Sequence, residues 1–295
     1  PQKVVFVDTI HGSVVQTVRL TGRGIAIFAA PDARVVVPLE DENATDVVSP
    51  TGKIERWPGR VFPVFSRDYD RMQVVLPGMF ATLSYPERLP LLRIPLPDVT
   101  GAIRAASSED GRLVAVIPSG AGGRTLLIVA ATEGGTAGAV ELGGAATAVV
   151  MADEGRVAVT ANGTTLEATV LGDVRARPGL GVGGEVRSLC RLATGRDILA
   201  GLASGDAGAV VGLRVNPKAS QPLRERFRTP LPAPVVALAA AGEDIVAISG
   251  AELVVLARKG RRVALTLAVP GARDVAVLPR LAKSTVPNWG DLRGP

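Results

Sequence analysis

The chain has 295 residues, 47% hydrophobic and only 3% aromatic, with a formal net charge of +5. That length suits one or two domains with a sizeable core, which must be built from Val, Ala, Leu and Ile. One cysteine and one histidine exclude an internal disulfide, a cysteine-based metal site and a poly-histidine metal centre. The positive charge is mostly arginine, which either reflects a GC-rich genome or marks an acidic partner or anionic surface.

In chain order, residues 3–8 form an apolar run ending in Asp8, 10–12 turn, and 13–20 return. Residues 25–30, the turn Pro31-Asp32-Ala33-Arg34 and residues 35–39 follow, then an acidic loop and weaker strands at 45–49 and 53–57. The next unit has runs at 61–65, 72–76, 79–84 and 89–94. The clearest unit has runs at 102–107, 113–117, 125–131 and 139–142, with Glu109-Asp110-Gly111-Arg112 between the first two. Runs at 146–151, 157–161, 165–171 and 174–177 repeat it around Asp153-Glu154-Gly155-Arg156. Another unit runs from 186–192 through 198–203 and 209–215 to a long Pro- and Arg-rich loop, 216–224, and a last strand. Runs at 235–240, 245–249, 252–257 and 262–269 come next, then 273–278 and a weakly patterned tail. Residues 235–257 are the best membrane-span candidate, but Glu243, Asp244 and Glu252 make a span expensive and Gly242 and Gly250 break it, so strands are predicted there.

Each run is too short for a helix, and Asp-Gly between two β runs is a strong hairpin signal. Four short strands in roughly 40 residues make one propeller blade. Unit starts fall near 25, 61, 103, 146, 186, 235 and 273. The predicted fold is therefore all-β: a seven-bladed β-propeller of four-stranded antiparallel blades, with essentially no helix. Residues 1–280 form the single domain and 281–295 a C-terminal tail. The last blade is expected to be shared. Residues 273–278 supply its inner strand and 282–286 a second; 3–8 and 13–20 supply the outer two. Sharing closes the ring and hides the sheet edges where the chain begins and ends. It also accounts for a start almost inside a strand, which a mature form would otherwise explain.

The phrase of apolar strand, Pro-Asp-x-Arg or Glu-Asp-Gly-Arg, then apolar strand resembles the YVTN-type seven-bladed propeller repeats. It is carried by Pro31-Asp32-Ala33-Arg34, Glu109-Asp110-Gly111-Arg112, Asp153-Glu154-Gly155-Arg156 and Val4-Val5-Phe6-Val7-Asp8-Thr9. The Tyr-Val-Thr-Asn itself is absent, with Val157-Ala158-Val159-Thr160-Ala161-Asn162 its nearest echo, and the Trp-Asp of WD40 repeats is also missing. The resemblance implies the fold and is nearly silent on function. Some propellers with this repeat are lactonases or related hydrolases, with carboxylates, arginine or a metal at the channel mouth.

Arg104, Arg187 and Arg273 stand at comparable positions of inner strands and are expected to form a ring of channel arginines for an anionic ligand. Arg224, Arg226 and Arg228 alternate along one strand and should share a face. With Arg258, Lys259, Arg261 and Arg262 of the neighbouring unit they form a predicted docking patch for an acidic protein or anionic headgroups. Only Phe227 lies near, too little aromatic surface for nucleic acid. Glu40, Asp41, Glu42 and Asp46 offer calcium several oxygens, without the spacing of an EF-hand loop. The turn carboxylates Asp32, Asp110 and Asp153 are expected to bond their own backbone. Asp8, His11 and Ser13 crowd one turn, too short a stretch for a working triad. Residues 179–184 match G-x-G-x-x-G but lack the preceding strand and following helix, so they read as a loop. Cys190 is expected to be a small buried hydrophobe.

With so few catalytic residue types, the chain reads as a non-catalytic interaction or scaffold propeller. It would be an accessory subunit of a membrane-associated bacterial assembly on the periplasmic or extracellular side, docking a protein or membrane complex. The single cysteine fits that compartment without excluding the cytosol. The alternative is a lactonase-like hydrolase with its site at the central channel mouth. No cofactor is implied; a quinone-bearing redox subunit would need metal ligands and tryptophans that are lacking. The acidic loop and residues 216–224 are the first places to look for contacts.

Overall fold

The computed structural model describes residues 2–65, 71–97, 99, 102–118, 122–173, 178–192, 195–241, 244–257 and 262–278. Strands β1 (Lys3–Asp8) and β2 (Ser13–Arg19) pair as a two-stranded sheet. Six four-stranded antiparallel sheets follow. Blade 1 holds β3 (Phe28–Ala29), β4 (Val35–Pro38), β5 (Ala44–Val48) and β6 (Ile54–Pro58). Blade 2 holds β7 (Pro63–Phe65), β8 (Arg71–Leu76), β9 (Met79–Ser84) and β10 (Pro90–Pro95). Blade 3 holds β11 (Ala102–Ser107), β12 (Leu113–Pro118), β13 (Thr125–Ala130) and β14 (Thr136–Glu141). Blade 4 holds β15 (Ala148–Ala152), β16 (Val157–Asn162), β17 (Thr165–Val170) and β18 (Leu180–Gly181). Blade 5 holds β19 (Glu185–Arg191), β20 (Asp197–Ser204), β21 (Ala207–Val215) and β22 (Leu223–Leu231). Blade 6 holds β23 (Val235–Ala241), β24 (Asp244–Ser249), β25 (Glu252–Ala257) and β26 (Arg262–Ala268). No helix occurs among the described residues, so none is long and apolar enough to cross a membrane.

The first strand of each blade lies innermost, since β7 contacts β11, β11 contacts β15, β15 contacts β19 and β19 contacts β23. The fourth strands lie outermost and alternate between exposed and half-buried positions, as in β14 and β26. The second strands are buried on both faces. In β12, Val114 and Val116 pack towards blade 2 with Val75, Phe80 and Ile94. Ala115 and Ile117 pack towards blade 4 with Val149, Met151 and Ala158. The period-2 alternation of a strand thus serves two neighbours at once. At about 1.5–3 kcal/mol per fully buried aliphatic side chain, these seams dominate the stability.

The expectation of seven blades is corrected: six are complete, and the place between blades 6 and 1 is taken by the β1–β2 hairpin. Val4, Phe6 and Val18 of the hairpin pack against Val35, Val37 and Val48 of blade 1. Val7, with Ala272, Val275 and Val277, packs against Val246, Ile248 and Val255 of blade 6. Residues 273–278, expected as an inner strand, join no ladder: Val275 and Val277 pack by their side chains, and the segment meets blade 1 through the Asp274 carboxylate, which accepts the Ile27 amide; 282–286 lie outside the described residues. Blade 4 differs too. Residues 174–177, its expected outer strand, lie outside the described residues, and β18 falls inside the Gly-rich stretch read as a loop, pairing with Thr165 and Leu166. Gly179 permits this, because a Cβ there would meet the Thr165 methyl at 2.6 Å.

One polar contact fastens the hairpin. Asp46, fully buried on β5, accepts the Thr21 amide at 2.8 Å and the Thr21 hydroxyl at 2.8 and 2.9 Å. A buried carboxylate is tolerable only with such partners. Asp46→Ala should lower unfolding stability by about 2–4 kcal/mol, and Thr21→Val by about 1 kcal/mol. Urea denaturation checks both; an unchanged Asp46→Ala protein would show that the hairpin is not anchored there.

Candidate functional site: a cationic cleft on the turn face

The turns joining first to second strands and third to fourth strands open on one face of the ring. In blades 1 and 3 the turn acid behaves as expected. Asp32 accepts the Arg34 amide at 3.2 Å, and Asp110 accepts the Arg112 amide at 3.1 Å and the Ser108 hydroxyl at 2.6 Å. Burial works against the ionised Asp110, but the Ser108 and Arg112 bonds outweigh it and hold its carboxyl below the usual range. Blade 1 adds a seam to blade 2: Asp32 accepts Tyr85 Oη at 2.9 Å, while Arg34 donates to Tyr85 and to Glu55. Burial and the Asp32 charge push the Tyr85 phenol well up.

Blade 4 breaks the pattern. Ala33 (φ 61°), Gly111 (φ 69°) and Gly155 (φ 85°) hold the same turn position, which makes Glu154 the counterpart of Asp32 and Asp110. Asp153 stands one residue earlier, also left-handed (φ 51°), a conformation Asp tolerates better than most residues. Its carboxylate accepts no backbone amide of its own turn among the described residues; the Arg156 amide goes to the Asp153 carbonyl at 3.1 Å instead. Its amide donates to Gly195 O in blade 5 at 2.6 Å. Its carboxylate, 2% exposed, meets Arg156 Nε at 3.0 Å and Arg196 Nε at 2.9 Å. Arg156 and Arg196 each follow the turn glycine, so they are the same position of successive blades. Gly155 is required here by sterics as well: a Cβ would stand 2.7 Å from Ser108 Cβ.

Around this pair lies an open cleft of about 360 Å³ lined by Asp153, Arg156, Arg196, Arg214, Asn216 and Lys218, with Val215 and Pro217 the only apolar lining. Arg214 is occupied by Asp197, at 2.6 Å from Nε and 3.2 Å from a terminal nitrogen. Of residues 216–224, expected as a contact site, Asn216, Pro217 and Lys218 line the cleft, while 223 and 224 belong to β22.

The structure scatters the other predicted residues. Arg224, Arg226 and Arg228 do not share a face. A bulge at Arg226 sets Arg224 opposite Arg214 but Arg228 opposite Val211, three residues apart and so on opposite sides of the sheet. Arg228 turns towards blade 4, donating to Val182 O at 3.0 Å and pairing with Glu225. Arg224 and Arg226 are exposed and make no ion pair among the described residues. Arg262 is exposed on β26, and Arg258, Lys259 and Arg261 lie outside the described residues.

The channel ring of arginines is corrected as well. Inner strands β11 and β19 each carry a bulge, with Ile103 and Arg187 as the extra residues. Arg104 is therefore the counterpart of Ser188, not of Arg187, which pairs with Glu185 at 2.6 Å. Arg273 lies in the segment without a ladder. Beside it, Asp274 accepts the Ile27 amide at 3.0 Å and the Val275 amide at 2.9 Å. Its side chain keeps solvent access, yet desolvation by the surrounding protein raises its carboxyl above the usual range, against those two bonds and the charge of Arg104.

The acidic loop does not converge on a cation. Glu40 pairs with Arg23 at 2.9 Å, Glu42 with Arg56, and Asp46 with Thr21, and no group of metal-ligating side chains forms among the described residues. Asp8 accepts His11 Nδ1 at 2.5 Å and the amides of Ile10 and His11. Slight burial opposes ionisation, yet those bonds hold its carboxyl below the usual range; no hydrogen bond links Ser13 to the ring. Cys190 is half-buried against Leu192, Leu199 and Val210, and burial pushes its thiol up to about 12.

These sheets define a β-propeller. A functionally unknown protein from Desulfotomaculum acetoxidans is similar to the chain at a TM-score of 0.72 and 15% identity, over 94% of this chain and 96% of that one. The Cps50 (Swd1) β-propeller domain of Myceliophteria thermophila is similar at 0.65 and 12%, over 85% and 88%. A chain of a mitotic checkpoint complex is similar at 0.64 and 13%, over 84% and 82%. At such identities the likeness shows the fold alone. No family model matches the sequence, and no curated protein does.

Two measurements check the site. A thiol raised from 9.0 to about 12 holds about a thousandfold less thiolate at pH 8, and iodoacetamide should label Cys190 correspondingly slowly until urea unfolds the protein. Rapid labelling of the folded protein would contradict the assignment. Asp153→Asn should lower stability by about 1–2 kcal/mol, modest because solvent screens the half-exposed arginines; calorimetry should show the loss shrinking in high salt.

Proposed function

We propose that this propeller is a non-catalytic interaction module that docks an acidic protein partner. It would serve as an accessory subunit of a bacterial membrane-associated assembly, on the periplasmic or extracellular side. One observation carries the reading: β22, a nine-residue outer strand, holds Arg224 and Arg226 exposed and without ion pairs among the described residues, while most nearby carboxylates are engaged by other arginines. Uncommitted guanidiniums on a rigid sheet edge suit recognition of carboxylates. Two structural neighbours, a chain of a mitotic checkpoint complex and a Cps50 (Swd1) propeller domain, support a scaffold role. The single cysteine fits an extracytoplasmic setting.

Tagged protein recovered from its native membranes in mild detergent should bring a stoichiometric partner. The double variant Arg224→Glu, Arg226→Glu should fold normally and lose that partner at least about tenfold, with the wild-type interaction weakening in salt. A lone monomer at every salt concentration, or equal recovery by the double variant, would sink the proposal.

A second reading is a hydrolase at the channel mouth. Asp274, with its raised carboxyl near Arg104, is the group that favours it, since a carboxyl poised towards neutrality suits acid–base work. Turnover of lactones, abolished by Asp274→Asn with the fold intact, is what this reading requires. No turnover across a lactone panel would end it.

A further inference from the structure

We propose that the cleft between blades 4 and 5 binds the phosphate group of a small polar metabolite. Asp153 is the organising element. Its amide donates a hydrogen bond to Gly195 O, its carboxylate accepts Arg196 Nε at 2.9 Å, and Arg156 Nε pairs with the carboxylate at 3.0 Å while donating to the Asp153 carbonyl at 3.2 Å. A guanidinium held at Nε keeps terminal amino groups free for a second oxyanion. Arg156 shares one of these with Glu154 at 3.5 Å, and those of Arg196 have no partner among the described residues. Lys218 lines the same cleft. Its amide bonds Asn216 Oδ1 at 3.1 Å, shaping the loop, and its ammonium makes no ion pair among the described residues. Arg214 is matched by Asp197.

Four cations therefore face Asp153, Glu154 and Asp197, and the excess positive charge sits with Arg196 and Lys218. A dianion with three strong acceptor oxygens fits two preset guanidiniums and one ammonium. The volume, about 360 Å³, lies at the small-ligand end of known sites. Among the described residues six of the eight that line the cleft are polar or charged, which suits a polar carrier. Two successive non-glycine residues in the left-handed region, Asp153 and Glu154, are the kind of local strain that a functional site retains. The cleft adjoins the start of β22, where Arg224 stands opposite Arg214, but neither Arg224 nor Arg226 lines it.

Calorimetric titration with glucose 6-phosphate and with inorganic phosphate, at ionic strength fixed with sodium chloride, tests this. Saturable binding tighter than about 1 mM is expected for the sugar phosphate and none for glucose. Lys218→Glu, a change on an exposed loop, should weaken it at least about tenfold, while Arg262→Glu on β26 should leave it unchanged. No saturable binding below about 10 mM, or equal binding by Lys218→Glu, would overturn the proposal. So would a response reproduced by chloride alone. An acetylated tetraglutamate peptide that binds more tightly than either phosphate would assign the cleft to an acidic protein instead and equally overturn it.

Discussion

A blade of this protein has no face to give to water. The alternation in β12 sends Val114 and Val116 to one neighbour and Ala115 and Ile117 to the other, and β20 does the same with Ala200 and Leu199. A row of such sheets with two free ends would expose an apolar surface at each end, so the row must close. Closure falls to the weakest-looking parts of the chain, a two-stranded hairpin and residues 272–278, which join no ladder. Their side chains complete the seams with blades 1 and 6, and Asp46 and Asp274 hold the neighbouring backbone amides of Thr21 and Ile27.

The same economy governs the charges. Carboxylates near the ring are used to tie turns and blades: Asp32 links blades 1 and 2 through Tyr85, and Asp153 links blades 4 and 5 through Arg196. Arginine outnumbers what these acids can absorb. The surplus stands on the outer strand β22 and in the cleft beside Lys218, surfaces that a closed and rigid ring can present without rearrangement. Preformed presentation lowers the ordering cost of binding, which suits both a docking edge and a small-anion cleft.

Most of the architecture was legible because the turn chemistry repeats. The inner strands begin at 28, 63, 102, 148, 185 and 235, close to the starts read from the apolar runs. The ring closure was not, because residues 273–278 have a strand's composition yet join no ladder and pack by their side chains instead. The bulge at Arg226 was hidden too. Glu225-Arg226-Phe227 contains no glycine to announce it, and one extra residue was enough to separate Arg224 from Arg228. Ion pairing dissolved the calcium reading, since Arg23 and Arg56 reach Glu40 and Glu42 from other segments. The cleft did leave a signal. Aligning Gly155-Arg156 with Gly195-Arg196, and seeing Asp153 one position ahead of the usual turn acid, would have marked the place where two blades share one carboxylate.

Hydrogen exchange read by mass spectrometry tests closure most directly. If the hairpin completes the ring, β1 and β2 should exchange with the same slow, cooperative opening as β4 and β24, the central strands of the blades they seal. If β1 and β2 exchange within seconds while β12, β16 and β20 stay protected, the ring is open at that point and the account of its stability is wrong.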